Sequence, residues 1–304
     1  MQMAELGKTG ERISEVGLGT WMLSTNEAKE VEALRTGLDA GINFVDTAEM
    51  YGTERIVGRA VSGRENIFVA TKVSPTHFHY DDVIRACDAS LARLGVKSID
   101  LYQLHWPNRN VPISETMRAM EKLVDDGKIR HIGVSNFSLE ELKEAQDALK
   151  KNEIVSNQVE YSLVVRDAER DLLAYCREQH MSIIAYSPLA HGGLFEPRYA
   201  KLVELLSRIG KRHGKTPAQV AINWLICKGI VVPIPKASKK EHVAEIAGAA
   251  GWRLGGDELK TINDFLSGYR KRPISKLVKP ALNMHPAITG MLTWLGGLRN
   301  RKKD

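Results

Sequence analysis

Residues 42–52 read INFVDTAEMYG. An apolar run ends on a carboxylate, Asp46, and a phenol, Tyr51, follows. The construction returns twice: IFVATK (67–72) ends on Lys72, and IDLYQLH (99–105) ends on His105. Short apolar runs of this kind are the pattern of strands buried on both faces, as in parallel sheets. In closed parallel barrels the chemistry sits at the C-terminal ends of the strands. An acid, a phenol, an amine and an imidazole at successive strand ends therefore predict one active site at a barrel mouth.

Working outward, the chain opens as a hairpin, MAELG and ERISEVG around a KTG turn. Eight strand candidates follow: SEVGLGTW, INFVDTA, IFVATKV, IDLYQLHW, IRHIGVSNF, SNQVEYS, SIIAYSPL and IVVPIPK. Helical patterns lie between them. NEAKEVEALRTGLDAG ends in Gly41, and HYDDVIRACDASLARLG starts with a candidate Asp cap and stops at Gly95. SETMRAMEKLVDDGK opens with a serine, and Ser138 and Glu141 have capping-box spacing. RDAERDLLAYCREQH comes next, and TPAQVAINWLICKG carries Pro217 where a first turn tolerates it. KLVELLSRIGKRHG and ELKTINDFLSGY read as two helices beyond the regular set. Alternating strands and helices imply parallel β-α-β units, and eight of them favour an α/β (β/α)8 TIM barrel. An open doubly wound sheet usually offers G-x-G-x-x-G after its first strand; here that strand ends GLGTW.

The chain of 304 residues carries a net charge of +6 and 43% apolar residues, enough for a real core. The charge is uneven. From Arg270 onward nine Lys/Arg face one acid, so the tail carries +8 and the body −2. A nearly neutral body argues against nucleic-acid binding. Cys87, Cys176 and Cys227 are far apart and lack C-x-x-C spacing, so neither a disulfide framework nor a metal site is expected. Free thiols suit the cytoplasm. The N-terminus lacks the apolar run of a signal peptide, and no stretch is long and apolar enough to span a membrane.

From residue 3 to 269 the chain resembles the aldo-keto reductase family. The words that carry the likeness are GLGTW, GINFVDTAEMYG, VATKV, IDLYQLHWP, GKIRHIGVSNF, NQVEYS, AYSPLA and VPIPKAS. The resemblance implies a TIM barrel that binds an extended nicotinamide cofactor and interconverts carbonyls and alcohols. It divides the chain into a barrel, 1–269, and a basic extension, 270–304.

The residues fit those roles. Hydride addition builds negative charge on the carbonyl oxygen, where a positioned acid must deliver a proton. Tyr51 is the candidate. A free phenol titrates near 10, and a neighbouring cation lowers that value; Lys72 is expected to do so. A buried ammonium needs a carboxylate partner, here Asp46. His105 is placed to orient the carbonyl oxygen. Taken singly each residue has a plainer reading as a turn, a snorkelling amine or a packing imidazole.

By the same resemblance Ser135, Asn136 and Gln158 hold the nicotinamide carboxamide, and Tyr186 stacks on its ring. Asp46 and the segment Gly19, Thr20 and Trp21 border the cofactor. Ser187 and Leu189 meet the pyrophosphate, and Lys236 and Ser238 the adenosine phosphate. The family's later arginine aligns with His242, and its adenine-contacting asparagine after Glu245 is Ile246. Neutral histidine is no bidentate clamp. Lys236, Lys239 and Lys240 still make a positive loop, so NADPH is the expected cofactor and NADH the second candidate.

Trp21, Met50, Tyr51, His105 and Trp106 are expected to line a pocket for small aldehydes or ketones. The short PNRNVP connection after His105 predicts an open, permissive mouth. The tail has three readings: a lid over the mouth, a peripheral membrane contact, or a docked helix with a basic end. The chain is expected to be a monomer or weak oligomer. The competing function is a cofactor-binding redox sensor regulating a membrane partner, since potassium-channel β subunits resemble the same family. A pure binder has no need of Tyr51, which favours the enzyme.

Overall fold

The computed structural model describes residues 1–23 and 26–268. It begins with β1 (Met3–Glu5) and β2 (Arg12–Ser14), paired antiparallel with Ala4 opposite Ile13. Then follow β3 (Leu18–Gly19), α1 (Glu27–Asp39), β4 (Phe44–Asp46), α2 (Glu54–Val61), β5 (Phe68–Val73), α3 (Tyr80–Leu94) and β6 (Ile99–Leu104). The second half holds α4 (Ile113–Asp125), β7 (Ile129–Ser135), α5 (Leu139–Asp147), β8 (Ile154–Glu160), α6 (Leu172–Glu178) and β9 (Ser182–Tyr186). It continues with α7 (Ala200–His213), α8 (Pro217–Ile226), β10 (Val231–Pro233), α9 (Lys240–Ala247) and α10 (Gly256–Ser267).

Strands β3 to β10 form one eight-stranded sheet in sequence order, each parallel to the next. Gly17 N–H donates to Pro233 O at 2.9 Å and Gly19 N–H to Pro235 O at 3.0 Å. These bonds join the first strand to the last and close the barrel. The seam admits no side chain on its β3 side. A Cβ on Gly17 would lie 2.6 Å from Phe44 Cδ1, and one on Gly19 2.7 Å from Ile234 O. That close approach is what the two glycines of GLGTW provide.

Side chains of period two sort the interior into layers. Phe44, Phe68, Ala70, Leu101, Ile184, Val232 and Ile234 form a buried cluster with Leu6 and Ile13 of the hairpin, which plugs the N-terminal end. Two residues further along each strand, the same inward face carries Asp46 on β4, Lys72 on β5, Gln103 on β6 and Tyr186 on β9. Apolar residues thus fill the lower barrel, and polar ones are lifted to the mouth.

All eight strands expected from the sequence are present. Ser138 and Thr216 both make capping boxes, with Glu141 and Gln219. The start of α3 differs from the expectation: its N-cap is His79, without a side-chain bond, and Asp81 and Asp82 lie in the first turn, where they favour the helix dipole. Helices α7 and α10 are the two extra ones. Helices α2 and α9 were not foreseen. Both are short and lack a side-chain cap. Helix α2 is decided by packing: Gly58 lies so close to α3 that a Cβ would stand 2.3 Å from Leu94 O.

No helix among the described residues is long and apolar enough to cross a membrane. The expectations for residues 270–304, as lid, membrane contact or docked helix, lie outside the described residues.

Candidate active site

Three strand ends, those of β4, β5 and β6, bring Asp46, Tyr51, Lys72 and His105 together. Asp46 closes β4, and the turn after it carries Tyr51 back over the mouth, with Gly52 in the left-handed region at φ +68°. Lys72 is fully buried and Asp46 2% exposed. The Lys72 ammonium donates to Asp46 Oδ1 at 2.6 Å, to Thr47 O at 2.8 Å and to the Tyr51 hydroxyl at 3.4 Å. The Tyr51 hydroxyl also lies 3.3 Å from His105 Nε2. The two rings meet edge to face. The phenol oxygen is therefore bracketed by an amine and an imidazole, the amine itself being held by a carboxylate.

Burial first, and then Lys72, pulls His105 well below the usual 6.5, so the ring is neutral at neutral pH. Its Nδ1 is buried without a partner. A proton on Nε2 leaves that Nδ1 as a bare acceptor, which costs less than a stranded N–H. Burial lowers Lys72 from 10.5, and the Asp46 carboxylate offsets part of that. Tyr51 corrects the sequence reading. Burial and then the Asp46 charge push its phenol well above 10. The expected lowering by Lys72 is absent because the ammonium sits closer to Asp46 than to the phenol. Tyr51 consequently meets the field of a pair, not of a lone cation.

The second oxygen of Asp46 accepts from Gln158 Nε2 at 2.8 Å and Gln103 Nε2 at 3.3 Å. Ser135 Oγ donates to Gln158 O at 3.0 Å. Asn136 Nδ2 donates to His105 O and Ser135 Oγ, while the Tyr186 hydroxyl donates to Asn136 Oδ1 at 2.9 Å. Asn136 and Ser187 hold φ of +64° and +48°, in the left-handed region that few residues with a side chain adopt. Ser135, Asn136, Gln158 and Tyr186 thus form one connected group beside the tetrad. Both amide hydrogens of Gln158 are spent inside the barrel, on Asp46 and on Gln103 Oε1. Its Oε1 is the part left to accept from a ligand N–H, the chemistry a carboxamide requires.

Other expected residues spread along the rim. Thr20 is buried and bonds Asp46 O, Gly19 lies in the seam, and Trp21 stands 42% exposed at the mouth. Met50, Tyr51 and Trp106 are half-buried beside the buried His105. Leu189 leads into the turn that follows β9. Lys236, Ser238 and His242 are exposed around the start of α9. Glu245 is not free: it accepts from Thr216 Oγ1 at 2.6 Å and supports the cap of α8.

The sequence reading missed two residues. Gln103 is fully buried, next to last in β6; an amide inside the apolar run IDLYQLH was the available signal. His191 meets the Trp21 ring edge-on at 5.3 Å and lies 3.0 Å from Ser187 Oγ through Nε2. Its contact depends on a loop turn with φ of +56°, which no sequence pattern announces.

A closed (β/α)8 barrel with a Tyr–Lys–Asp–His cluster at its mouth defines a class of oxidoreductase sites. The Aldo/keto reductase family profile matches residues 15–267, and the chain belongs to that family. It is 39% identical over 255 residues to methylglyoxal reductase YeaE of Escherichia coli (strain K12), covering 82% of this chain and 89% of that one. Among solved structures it is similar to an aldo-keto reductase from Klebsiella pneumoniae in complex with NADPH. That match has a TM-score of 0.82 and 36% identity, with 90% of this chain and 97% of that chain covered. The thermostable aldo-keto reductase Tm1743, crystallised with the inhibitor epalrestat, matches with a TM-score of 0.81 and 40% identity. It covers 87% of this chain and 99% of its own. These relatives lend no support to the regulatory-subunit alternative.

Proposed function

We propose that this protein reduces small aldehydes or ketones to alcohols with NADPH, Tyr51 delivering the proton. The observation that carries the reading is the Tyr51 hydroxyl held between Lys72 Nζ at 3.4 Å and His105 Nε2 at 3.3 Å. The donor set suits a nicotinamide: Gln158 Oε1 and Asn136 Oδ1 are acceptors for a carboxamide N–H, and Tyr186 supplies a ring. Lys236, Lys239 and the start of α9 suit a phosphate, since helix N-termini favour anions. The Klebsiella relatives were crystallised with NADP or NADPH, which supports the same cofactor here.

Bound NADPH supplies the hydride that adds to the carbonyl carbon. Before that, neutral His105 and the Tyr51 hydroxyl hold the carbonyl oxygen. Tyr51, with its phenol pushed upward, enters the reaction protonated across neutral pH. The developing alkoxide is a strong base and takes that proton, and the O–H of the alcohol forms as the phenol O–H breaks. The phenolate left behind faces the Lys72 ammonium, whose charge Asp46 keeps in place. Catalysis of this kind rests on donors fixed before charge develops. Trp21, Met50 and Trp106 form the surrounding wall for a small substrate, and methylglyoxal is a natural first probe given the Escherichia coli relative. The barrel carries this chemistry within 1–269, in a reducing cytoplasm where Cys87, Cys176 and Cys227 stay free thiols.

The test follows NADPH oxidation with methylglyoxal and with an activated aromatic aldehyde, for the native protein and Tyr51→Phe. Turnover is expected to fall by about 10²–10⁴-fold in the variant while NADPH still binds. Native-like turnover without the hydroxyl would remove Tyr51 from the proton step.

A further inference from the structure

Gln103 is a buried polar residue that belongs neither to the tetrad nor to the expected cofactor set, and it bonds to members of both. It lies on the inward face of β6, between Leu101 in the apolar layer and His105 at the mouth. Its side chain is fully buried. Its Nε2 lies 3.3 Å from Asp46 Oδ2, and its Oε1 accepts from Gln158 Nε2 at 3.4 Å. Gln158 Nε2 donates to the same Asp46 oxygen at 2.8 Å, while Asp46 Oδ1 holds Lys72. Two amides and a carboxylate therefore close a ring inside the barrel, and the ammonium hangs from its far side.

We propose that Gln103 is a positioning residue that sets the Gln158 amide and the Asp46–Lys72 pair for hydride transfer. The order of donors fixes the arrangement. An ionised carboxylate only accepts, so Asp46 turns the N–H side of both amides toward itself. Gln103 Oε1 then takes the remaining N–H of Gln158, which leaves Gln158 Oε1 as its unspent group. Without Gln103 that N–H would be buried and unpaired, a cost large enough to rotate the amide. A rotated amide would present the wrong polarity to a carboxamide. Asp46 Oδ2 would also keep a single donor, loosening the carboxylate that holds Lys72 beside Tyr51. The signal in sequence is an amide near the C-terminal end of an otherwise apolar buried strand, level with Lys72 on the neighbouring strand.

The inference rests on the reading of Tyr51 and Gln158 given above, and the experiment separates the two. Gln103→Met keeps the length of the side chain and removes both hydrogen bonds; Gln103→Leu serves as the second variant. NADPH affinity is read from quenching of tryptophan fluorescence, and kcat and KM from aldehyde reduction. The expected result is a cooperative fold, NADPH affinity and kcat each lowered about tenfold, and aldehyde KM within about twofold. In a Gln158→Leu background the same substitution should weaken NADPH binding by less than about twofold, since the two act as a unit. Native affinity and kcat in Gln103→Met, or full multiplication of the two effects, would make Gln103 a filler of the barrel and overturn the inference. Native turnover in Tyr51→Phe, or native NADPH affinity in Gln158→Leu, would instead defeat the underlying reading, whatever Gln103 does.

Discussion

Among the described residues Lys72 is the one fully buried ammonium, and its removal separates stability from chemistry. Lys72→Met would strand the Asp46 carboxylate with amide donors alone, and breaking a buried pair on one side costs about 3–5 kcal/mol. The paired change Lys72→Met with Asp46→Leu should recover much of that stability in urea denaturation and none of the turnover. A second residue-scale prediction concerns His105. Its value in the fold lies well below 6.5, so the unfolded chain binds the extra proton first as pH falls. The group therefore contributes stability that is complete above about pH 6.5 and is lost as pH falls through its folded value. Aldehyde reduction should show no break near 6.5, and urea midpoints should fall below that pH less steeply in His105→Gln than in the native protein. A break in kcat/KM at 6.5 that vanishes in His105→Gln would show that the ring titrates normally.

At the scale of elements, the strand seam is the place where one methyl group decides the fold. Gly17→Ala would put a Cβ 2.6 Å from Phe44 Cδ1 and 2.9 Å from Ile234 Cγ2. Overpacking of this sort costs about 1–3 kcal/mol. The expected outcome is a lower urea midpoint with an unchanged m-value; a midpoint equal to the native one would mean that β3 and β10 part easily. The elements also show how far pattern reading reaches. Strands β4 to β6 were legible because each is an apolar run with one polar ending, and α5 and α8 because their capping residues bond locally. Helix α2 was not, because its placement depends on Gly58 meeting Leu94 from another element. Helix α9 hid for a related reason: its N-cap, Lys239, makes no capping side-chain bond, and it follows a lysine-bearing loop.

Across the whole molecule, the proposed cofactor recognition would join the Gln158 amide inside the barrel to the lysines at the start of α9 outside it. Lys236 and Lys239 are exposed, while Lys240 pairs with Glu32. The double change Lys236→Gln and Lys239→Gln should weaken NADPH binding about tenfold and leave NADH binding nearly unchanged, because phosphate pairing is the term removed. Equal loss for both cofactors in a fluorescence titration would assign the lysines to the shared part of the dinucleotide. For the native protein, NADPH at about a hundred times its Kd should raise stability by about 2.7 kcal/mol.

The sequence by itself determined the order of the eight strands, most of the helices between them, the closed parallel class, and the four residues of the candidate site. Apolar runs of strand length, their polar endings and local caps are properties of neighbouring residues, and neighbours in sequence are enough to read them. Only the tertiary structure decided which partner each polar group takes. The ammonium of Lys72 answers to Asp46 before Tyr51, so the phenol is raised rather than lowered. Glu245 turns to Thr216, and Gln103 and Gln158 share one carboxylate oxygen. These pairings join residues up to 112 positions apart. Their energies depend on burial and on distances of a few ångströms, which exist only once the barrel has closed.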